Sequence, residues 1–217
     1  MKRFNCPSCG AEVVFASNLS VYAVCKYCSS MIVLHDQDAG VIGTMAALPG
    51  DMSPFQIGTE GYYEGKHFTL VGRMKVGWED GSWNEWFLDT DDGRRGWLAE
   101  AQGCYAVCFE VGPPGLDFAG RAIQDQAKPG KFIGSTLLLA NQTLKVVDSK
   151  RATCIGSEGE LPFAAPQGRA TLSVDLLGPH GEFGCVEIET GKLRAFVGRY
   201  VDWKDLRCSS ARRFDGW

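Results

Sequence analysis

The chain has 217 residues, of which 45% are hydrophobic, and a formal net charge of −4 at pH 7. This composition excludes an intrinsically disordered chain, and the length is enough for one or two domains with a short appended module. No apolar stretch approaches the roughly 18 residues that a membrane-spanning helix needs. Residues 1–6 lack the apolar core of a signal peptide. We therefore expect a cytoplasmic protein without a transmembrane segment.

Charge is unevenly distributed along the chain. Residues 1–40 are neutral, residues 41–112 carry five basic and eleven acidic side chains, and residues 113–217 carry fourteen basic and twelve acidic ones. Proteins that bind nucleic acids present a basic face to the phosphates. The N-terminal segment and the acidic middle offer no such face, so a nucleic acid is not an expected partner.

The N-terminal segment, residues 1–35, contains two Cys-x2-Cys pairs, which are Cys6 with Cys9 and Cys25 with Cys28. The complete pattern, Cys-x2-Cys-x15-Cys-x2-Cys, is typical of a zinc ribbon, in which each pair points two sulfurs toward the metal. Four thiolates leave no open coordination position, so the predicted Zn²⁺ is structural. Iron in a rubredoxin-like site accepts the same ligand spacing and stays an alternative.

Five further cysteines bring the total to nine, an odd number that does not suit a closed disulfide framework. Cysteine packs as a small hydrophobic residue, and no histidine that could act as a base lies near any of the five in sequence. We expect them in the core. They are Cys104, Cys108, Cys154, Cys185 and Cys208.

The rest of the chain has the pattern of an all-β protein. Short runs of β-branched and aromatic residues alternate with polar ones between glycines, and residues 91–93 and 190–192 are expected hairpin turns. We therefore predict a mainly β fold, with the zinc ribbon followed by two similar small barrel-like or sandwich-like domains. The first covers residues 45–112 and the second residues 130–205, with residues 113–129 as a linker or a short helix.

The two predicted β domains resemble each other when the chain is aligned with itself. Residues 57–59, Ile-Gly-Thr, align with residues 133–135, Ile-Gly-Ser, and without a gap the apolar pattern of residues 68–71 then falls on residues 144–147. This repetition favours an internally duplicated unit of about 60 to 70 residues. A unit of that size is near the lower limit for a stable core, so packing the two together would stabilise both.

An aromatic and acidic cluster marks the first β domain, where four of the six tryptophans lie between positions 78 and 97. One interpretation is that the tryptophans fill a core. The other is a surface that binds a cation or a protein partner. The candidate binding residues, including two acidic residues of the second half, are Trp78, Glu79, Asp80, Trp83, Glu85, Trp86, Glu158 and Glu160.

Short motifs in both halves carry a resemblance to a known bacterial family. They are residues 48–50 (Leu-Pro-Gly), 57–58, 68–71, 81–88 and 97–98 in the first half, and residues 133–134, 146–147 and 158–162 (Glu-Gly-Glu-Leu-Pro) in the second. Over residues 48–202 the chain resembles the DUF4178 family, a domain family of unknown function. The resemblance implies a tandem β-rich protein with an N-terminal zinc ribbon. It also implies an association with polyamine-synthase-like enzymes and membrane-stress systems, and it brings no catalytic residue.

From the sequence we expect a non-enzymatic zinc-binding adaptor that contacts a protein partner in a membrane-associated or polyamine-related system. The alternative is a module or accessory enzyme that binds a cationic small molecule through the tryptophan and acidic cluster. A concave pocket lined by Trp83 and Glu85 would favour the ligand, whereas a buried Trp83 with Glu85 on a flat face would favour the adaptor. No catalytic motif is present, so binding is expected before catalysis.

Overall fold

The computed structural model of the protein describes residues 1–35, 38–48, 50–115, 118 and 128–212. Within these ranges the fold is mainly β, which confirms the predicted fold class. The expected linker or short helix at 113–129 lies largely outside the described residues. The described part of the chain contains no helix that is long and apolar enough to cross a membrane.

The strands are numbered in the order in which they occur in the chain. They are β1 (Lys2–Asn5), β2 (Glu12–Phe15), β3 (Tyr22–Val24), β4 (Ser30–His35), β5 (Asp38–Thr44), β6 (Glu60–Tyr63), β7 (Lys66–Trp78), β8 (Gly81–Thr90), β9 (Gly96–Ala101), β10 (Cys104–Val111), β11 (Thr136–Leu139), β12 (Gln142–Leu161), β13 (Ala170–Leu177), β14 (Glu182–Glu189) and β15 (Lys192–Val201). A short 3₁₀ helix, Trp203–Leu206, follows β15. Both predicted hairpins are confirmed, because β8 pairs with β9 and β14 pairs with β15 across the expected turns.

Eight strands form a closed antiparallel ring in the order β7, β8, β9, β10, β15, β14, β13 and β12, and β12 pairs back with β7. Each half of the chain contributes four of them. At one seam between the halves Cys108 lies opposite Gly198, and at the other Cys154 lies opposite Val76. The two expected β units therefore share one barrel instead of closing separately. Each half alone would leave unpaired strand edges, and the other half covers them.

The hydrogen-bond geometry of the two halves repeats in the register that the sequence alignment of the halves predicts. The N–H of Gly58 donates to the carbonyl of Leu70 at 2.8 Å, and the N–H of Gly134 donates to the carbonyl of Val146 at 2.9 Å. Both glycines have a φ of +87°, in the left-handed region that favours glycine. A β-bulge follows Leu70 in β7 and Val146 in β12. The repetition supports a duplication of the unit, which itself stays a prediction.

The cysteine-bearing segment forms its own small sheets, which join the wall of the barrel. β1 pairs with β2, and β3, β4 and β5 pair in sequence, so this module continues to Thr44. β3 also pairs with the last residues of β12, where Tyr22 lies opposite Leu161 and Ala23 opposite Glu160. Strand β12 therefore runs from the barrel directly into the sheet of the ribbon.

Side chains pack on both faces of the ring. The inner face surrounds the central cavity described below. Flanking segments cover the outer face: Phe55 and Leu206 pack against the first half, and Phe132 and Leu139 pack against the second. The inner face also buries a hydrophobic cluster that includes Met74, Phe87 and Phe196. The interior of the ring is therefore partly a packed core, and the cavity occupies the rest.

Candidate functional site

Two similar turns hold the four N-terminal cysteines. The N–H of Gly10 donates to the carbonyl of Cys6 and the N–H of Ser29 donates to the carbonyl of Cys25, both at 2.8 Å. Gly10 has a φ of +74° and Ser29 a φ of +58°, so both follow their cysteine pair in a left-handed conformation. The same turn is thus built twice, and the two turns face each other.

The four sulfurs, those of Cys6, Cys9, Cys25 and Cys28, lie within 4.8 Å of one another. The separation is 3.6 Å between Cys6 and Cys28 and 3.8 Å between Cys9 and Cys25. A tetrahedron with metal–sulfur bonds of about 2.3 Å has edges of about 3.8 Å. The donor set therefore fits one tetrahedral metal ion, and which metal it holds stays a prediction.

Cys28 lies beside a hydroxyl group that stabilises its thiolate. The Ser30 hydroxyl is 3.2 Å from the Cys28 sulfur. Hydrogen bonds from the side chain and backbone of Ser30 lower the pKa of Cys28 to about 6. The backbone of Ala11 lowers the pKa of Cys9, but its hydrogen bonds with the other sulfurs outweigh this and raise the pKa to about 12. Because metals bind the thiolate and not the thiol, Cys28 is ready for metal binding at neutral pH, whereas Cys9 has to lose its proton to the solvent when the metal binds.

The interior of the eight-stranded ring is a cavity of about 180 Å³. Side chains from all eight strands line it, and most of its wall is aromatic or aliphatic. Its aromatic lining consists of Trp78, Trp83, Trp97, Phe163, Phe183, Phe196 and Tyr200. The exposed residues Cys104 and Tyr200 border it, so the cavity is open to solvent on that side. Such a concave, largely apolar space with a few polar groups is typical of a small-molecule site.

Three carboxylates, Glu85, Asp175 and Glu187, face this cavity. Glu85 accepts a hydrogen bond from the indole Nε1 of Trp83 at 2.9 Å, and Glu187 pairs with Arg194 at 2.8 Å. Burial, together with the nearby Glu187 charge, raises the pKa of Glu85 to about 8. Glu85 therefore keeps its proton at pH 7 when no cation lies beside it, and a cation would favour its ionisation.

Lys150 and two tryptophans form one end of the cavity, near the turn that joins β7 to β8. The ring centroids of Trp78 and Trp83 are 5.3 Å apart. The Nζ atom of Lys150 lies 5.3 Å from the first centroid and 5.8 Å from the second, and it pairs with Asp175 at 3.4 Å. The ammonium group of Lys150 thus lies against both indole rings, where it would compete with a cation from a ligand. A ligand cation would lie deeper, beside Glu85.

The other end of the cavity is closed by Phe163, in the loop that follows β12. Its ring centroid lies 5.7 Å from that of Trp97. The guanidinium groups of Arg169 and Arg194 lie 4.7 and 3.9 Å from the ring centroid. The Phe163 side chain therefore covers this end of the cavity, and two cation–π contacts hold its ring in place.

Of the eight predicted binding residues, the structure brings Trp78, Trp83 and Glu85 together in the cavity. Glu79 and Asp80 lie exposed in the turn between β7 and β8. They therefore do not form part of the cavity wall.

The remaining three predicted binding residues lie outside the cavity. Trp86 is 1% exposed on the outer face, where its Nε1 donates to Glu100 at 3.0 Å. Glu158 pairs with Arg73 at 3.0 Å. Glu160 faces the ribbon, as described below. None of the three forms part of the cavity wall, and Glu158 and Glu160 border a groove between the ribbon and the barrel. A binding role for them stays a prediction.

Glu160 joins the ribbon to the barrel. Its buried carboxylate accepts hydrogen bonds from the N–H groups of Ala16 at 2.8 Å and Ser17 at 3.2 Å. The hydroxyl of Tyr22 lies 3.1 Å from that of Ser157, next to the same strand end. The ribbon is therefore held by polar contacts as well as by strand pairing.

Sequence reasoning did not single out the cavity residues of the second half, which include Lys150, Asp175 and Glu187. A signal for one of them is present, because Thr171, Ser173 and Asp175 alternate with apolar residues in β13. Alternate residues of a strand share a face, so this pattern places the three polar side chains on one face of the sheet, but it does not distinguish the inside of a barrel from a solvent-exposed face.

The barrel is also the part of the chain that has known relatives. Residues 56–203, more than half of the chain and inclusive of all eight ring strands, match the family described as "Domain of unknown function (DUF4178)". The protein belongs to the DUF4178 family. No curated protein and no solved structure matches the sequence. The four N-terminal cysteines of this DUF4178 protein lie outside the matched region. The presence of two tandem copies of the domain stays a prediction.

Proposed function

We propose that this DUF4178 protein is a non-enzymatic binding barrel for a compact organic cation, and that its N-terminal cysteines hold a structural zinc ion. One observation carries the proposal. The carboxylate of Glu85 lies beside Glu187 in a cavity that eight strands enclose and that tryptophan and phenylalanine side chains line.

The charges of the cavity favour a cation over an anion or a neutral ligand. Glu187 is paired with Arg194 and Asp175 with Lys150, whereas no cationic side chain among the described residues forms an ion pair with Glu85. A ligand ammonium group beside Glu85 would convert a protonated acid into a buried ion pair. Nearby aromatic faces would add about 0.5 to 2 kcal/mol of cation–π attraction.

The volume limits the ligand to a few non-hydrogen atoms. A cavity of about 150 Å³ in another protein interior holds a molecule the size of benzene. At about 180 Å³, this cavity fits a short diamine or a similar small amine. Longer polyamines would have to extend through one of the ends.

Two of the three thiols that line the cavity, those of Cys108 and Cys185, support binding instead of covalent catalysis, whereas the third, that of Cys104, lies exposed at its border. Burial raises the pKa of Cys108 well above its usual range, and burial does the same to Cys185. Both sulfurs are therefore protonated at neutral pH and are poor nucleophiles. They serve as apolar parts of the wall.

Titration calorimetry with 1,4-diaminobutane tests the proposal, with 1,4-butanediol as the uncharged ligand of equal length. We expect the diamine to bind, the diol not to bind, and Glu85→Gln to weaken diamine binding at least tenfold. Glu79→Gln, which changes an exposed carboxylate outside the cavity, is the matched control and should bind as the parent does. No binding of the diamine at millimolar concentration, or equal binding by both variants, would refute the proposal.

The adaptor role expected from the sequence is the second candidate. A groove of about 710 Å³ between the ribbon and the barrel favours it, and the side chain of Tyr27 on its border is 66% exposed. Exposed aromatic residues are frequent anchors of protein partners. Affinity capture from the native host with the parent and with Tyr27→Ala tests this role, because a partner that uses the groove should be lost with the variant. Membrane association of such a partner and the cytoplasmic location stay predictions.

A further inference from the structure

We propose that the metal-bearing ribbon controls the opening of one end of the barrel cavity, the end that Phe163 covers, through a chain of contacts from Tyr22 to Ser157 to the loop that carries Phe163. The inference rests on the proposed function in one respect only, which is that the cavity holds a ligand.

The chain of contacts begins in the ribbon, three residues before the metal-ligand candidate Cys25. Tyr22 is fully buried, and its hydroxyl lies 3.1 Å from that of Ser157 in β12. Burial raises the pKa of Tyr22 to about 12, so the phenol is protonated at neutral pH. Backbone pairing of Tyr22 with Leu161 fixes the position of the ring.

The second contact connects Ser157 to the loop of residues 162–168. The Ser157 hydroxyl donates to the carbonyl of Ala165 at 3.2 Å, and the Cys154 thiol donates to the same carbonyl at 3.5 Å. A serine hydroxyl has a single hydrogen, so when Ser157 donates to Ala165 it must accept from Tyr22. The ribbon and the loop are therefore joined by two consecutive hydrogen bonds of fixed direction, which strengthen each other.

The third contact reaches the cavity itself. Phe163 lies two residues before Ala165, which is fully buried, and the Phe163 ring fills the cavity end between Trp97 and Arg194. Displacement of this loop would remove the ring and open the cavity. It would also remove the surface on which the Arg194 guanidinium rests while that group pairs with Glu187.

The fold of the ribbon depends on the metal, because the ribbon has little hydrophobic core of its own. Its buried cluster consists of six residues, Cys6, Val13, Phe15, Ala23, Cys25 and Ile32, and two of these are candidate metal ligands. A module of this size is not expected to keep its fold without the metal. The ring of Tyr22 packs in the core of the barrel and not in this cluster. Loss of the metal would therefore loosen the ribbon around Tyr22, weaken the contact of its hydroxyl with Ser157, and so loosen the loop. The metal-loaded ribbon therefore keeps the Phe163 end closed, and the metal-free ribbon opens it.

Amide hydrogen exchange of the full chain tests this coupling and does not need a ligand. In zinc-loaded protein we expect slow exchange at the two hydrogen-bonded amides at the end of the loop, that of Gly168, which donates to the carbonyl of Cys154, and that of Arg169, which donates to the carbonyl of Pro166. Removal of zinc with a chelator should raise the exchange rate of these two amides at least tenfold. Strands β9, β10 and β15, which lie on the opposite side of the ring from β12, should stay protected. Equal exchange at the two loop amides with and without zinc would overturn the inference. Equal loss of protection in β9, β10 and β15 would also overturn it, because the ribbon would then stabilise the whole barrel.

Two variants separate the coupling from the stability of the ribbon. Tyr22→Phe removes only the hydroxyl, and in zinc-loaded protein it should raise loop exchange at least threefold. Tyr27→Phe makes the same change at an exposed ribbon tyrosine and should leave the loop unchanged. If both variants behave as the parent does, the inference fails. Because exchange is measured without an amine, this failure is distinguishable from the absence of diamine binding, which would refute the proposed function alone.

Discussion

Trp83 and Glu85 lie two residues apart on the inner face of β8, and the indole N–H of Trp83 donates to the carboxyl group of Glu85 at 2.9 Å. The tryptophan thus fixes the orientation of the acid inside the cavity. The hydrogen bond lowers the pKa of Glu85, but burial and the charge of Glu187 outweigh it and hold the pKa at about 8. Glu85 is therefore mostly protonated at neutral pH and reaches its midpoint about one pH unit higher.

Diamine affinity should depend on pH through this acid. With a pKa of about 8, roughly one tenth of the Glu85 side chains are ionised at pH 7 and about half at pH 8. Because an ammonium ligand needs the carboxylate, affinity should rise about fivefold between these two pH values. Calorimetry at each pH measures the change, and Glu85→Gln should remove it. An affinity that stays constant from pH 7 to pH 8 would contradict the assignment.

Folding stability should show the opposite trend with pH when no amine is present. The pKa of Glu85 is raised in the folded state above its usual value, so between about pH 5 and pH 8 the unfolded chain releases a proton that the folded chain retains. The parent should therefore lose stability as the pH rises through this range. Glu85→Gln should remove this contribution and be more stable than the parent by about 1 to 3 kcal/mol at pH 8.

Urea unfolding of the two proteins at pH 5 and pH 8 measures this difference. Glu79→Gln is the control, because its exposed side chain should give the pH dependence of the parent. Parallel pH profiles for the parent and Glu85→Gln would show that Glu85 is not the buried acid.

Metal content should follow the four cysteines. Protein purified without chelator should contain about one zinc ion per chain, since the four sulfurs form one closed tetrahedral set. Cys25→Ser removes a buried ligand and should lower the zinc content at least tenfold, and the ribbon should unfold while the barrel is retained. Cys104→Ser, at an exposed cysteine outside the ribbon, should retain the metal. Atomic absorption measures the content, and metal-free parent protein would disprove the zinc site.

The metal site and the hairpins could be predicted from the sequence because their signals are local. Each cysteine pair lies within one turn, and the turns at residues 91–93 and 190–192 join strands that are neighbours in the chain. The opposite directions of Trp83 and Trp86 also follow from the strand period of two, once β8 is recognised as a strand. In each case the spacing of residues in the sequence was sufficient for the prediction.

The closed ring and its cavity could not be predicted in the same way. β10 and β15 pair residues that are far apart in the sequence, with Cys108 opposite Gly198, and no local pattern indicates that pairing. Hence Glu85 could be proposed as a binding residue, but its neighbour Glu187 could not. The two are brought together only when the halves close on each other.

The seam between the halves should depend on Gly198. A Cβ atom at this position would collide with the carbonyl oxygen of Val107 and with the Cα atom of Cys108 on the facing strand. Both are backbone atoms, so neither can rotate away, and the strands would have to separate. Gly198→Ala should therefore destabilise the protein by about 3 kcal/mol or more, as overpacking against a rigid backbone does.

Gly112→Ala is the matched control, because a Cβ atom there meets nothing within 4 Å. Thermal and urea unfolding of both variants measure the difference, with near-UV circular dichroism of the tryptophans as a probe of the cavity. Separation of the strands at this seam opens the wall that Cys108 and Phe196 form, so Gly198→Ala should also weaken diamine binding. A Gly198→Ala protein as stable as Gly112→Ala would mean that the two halves do not depend on this seam, and the cavity would then have to be enclosed in another way.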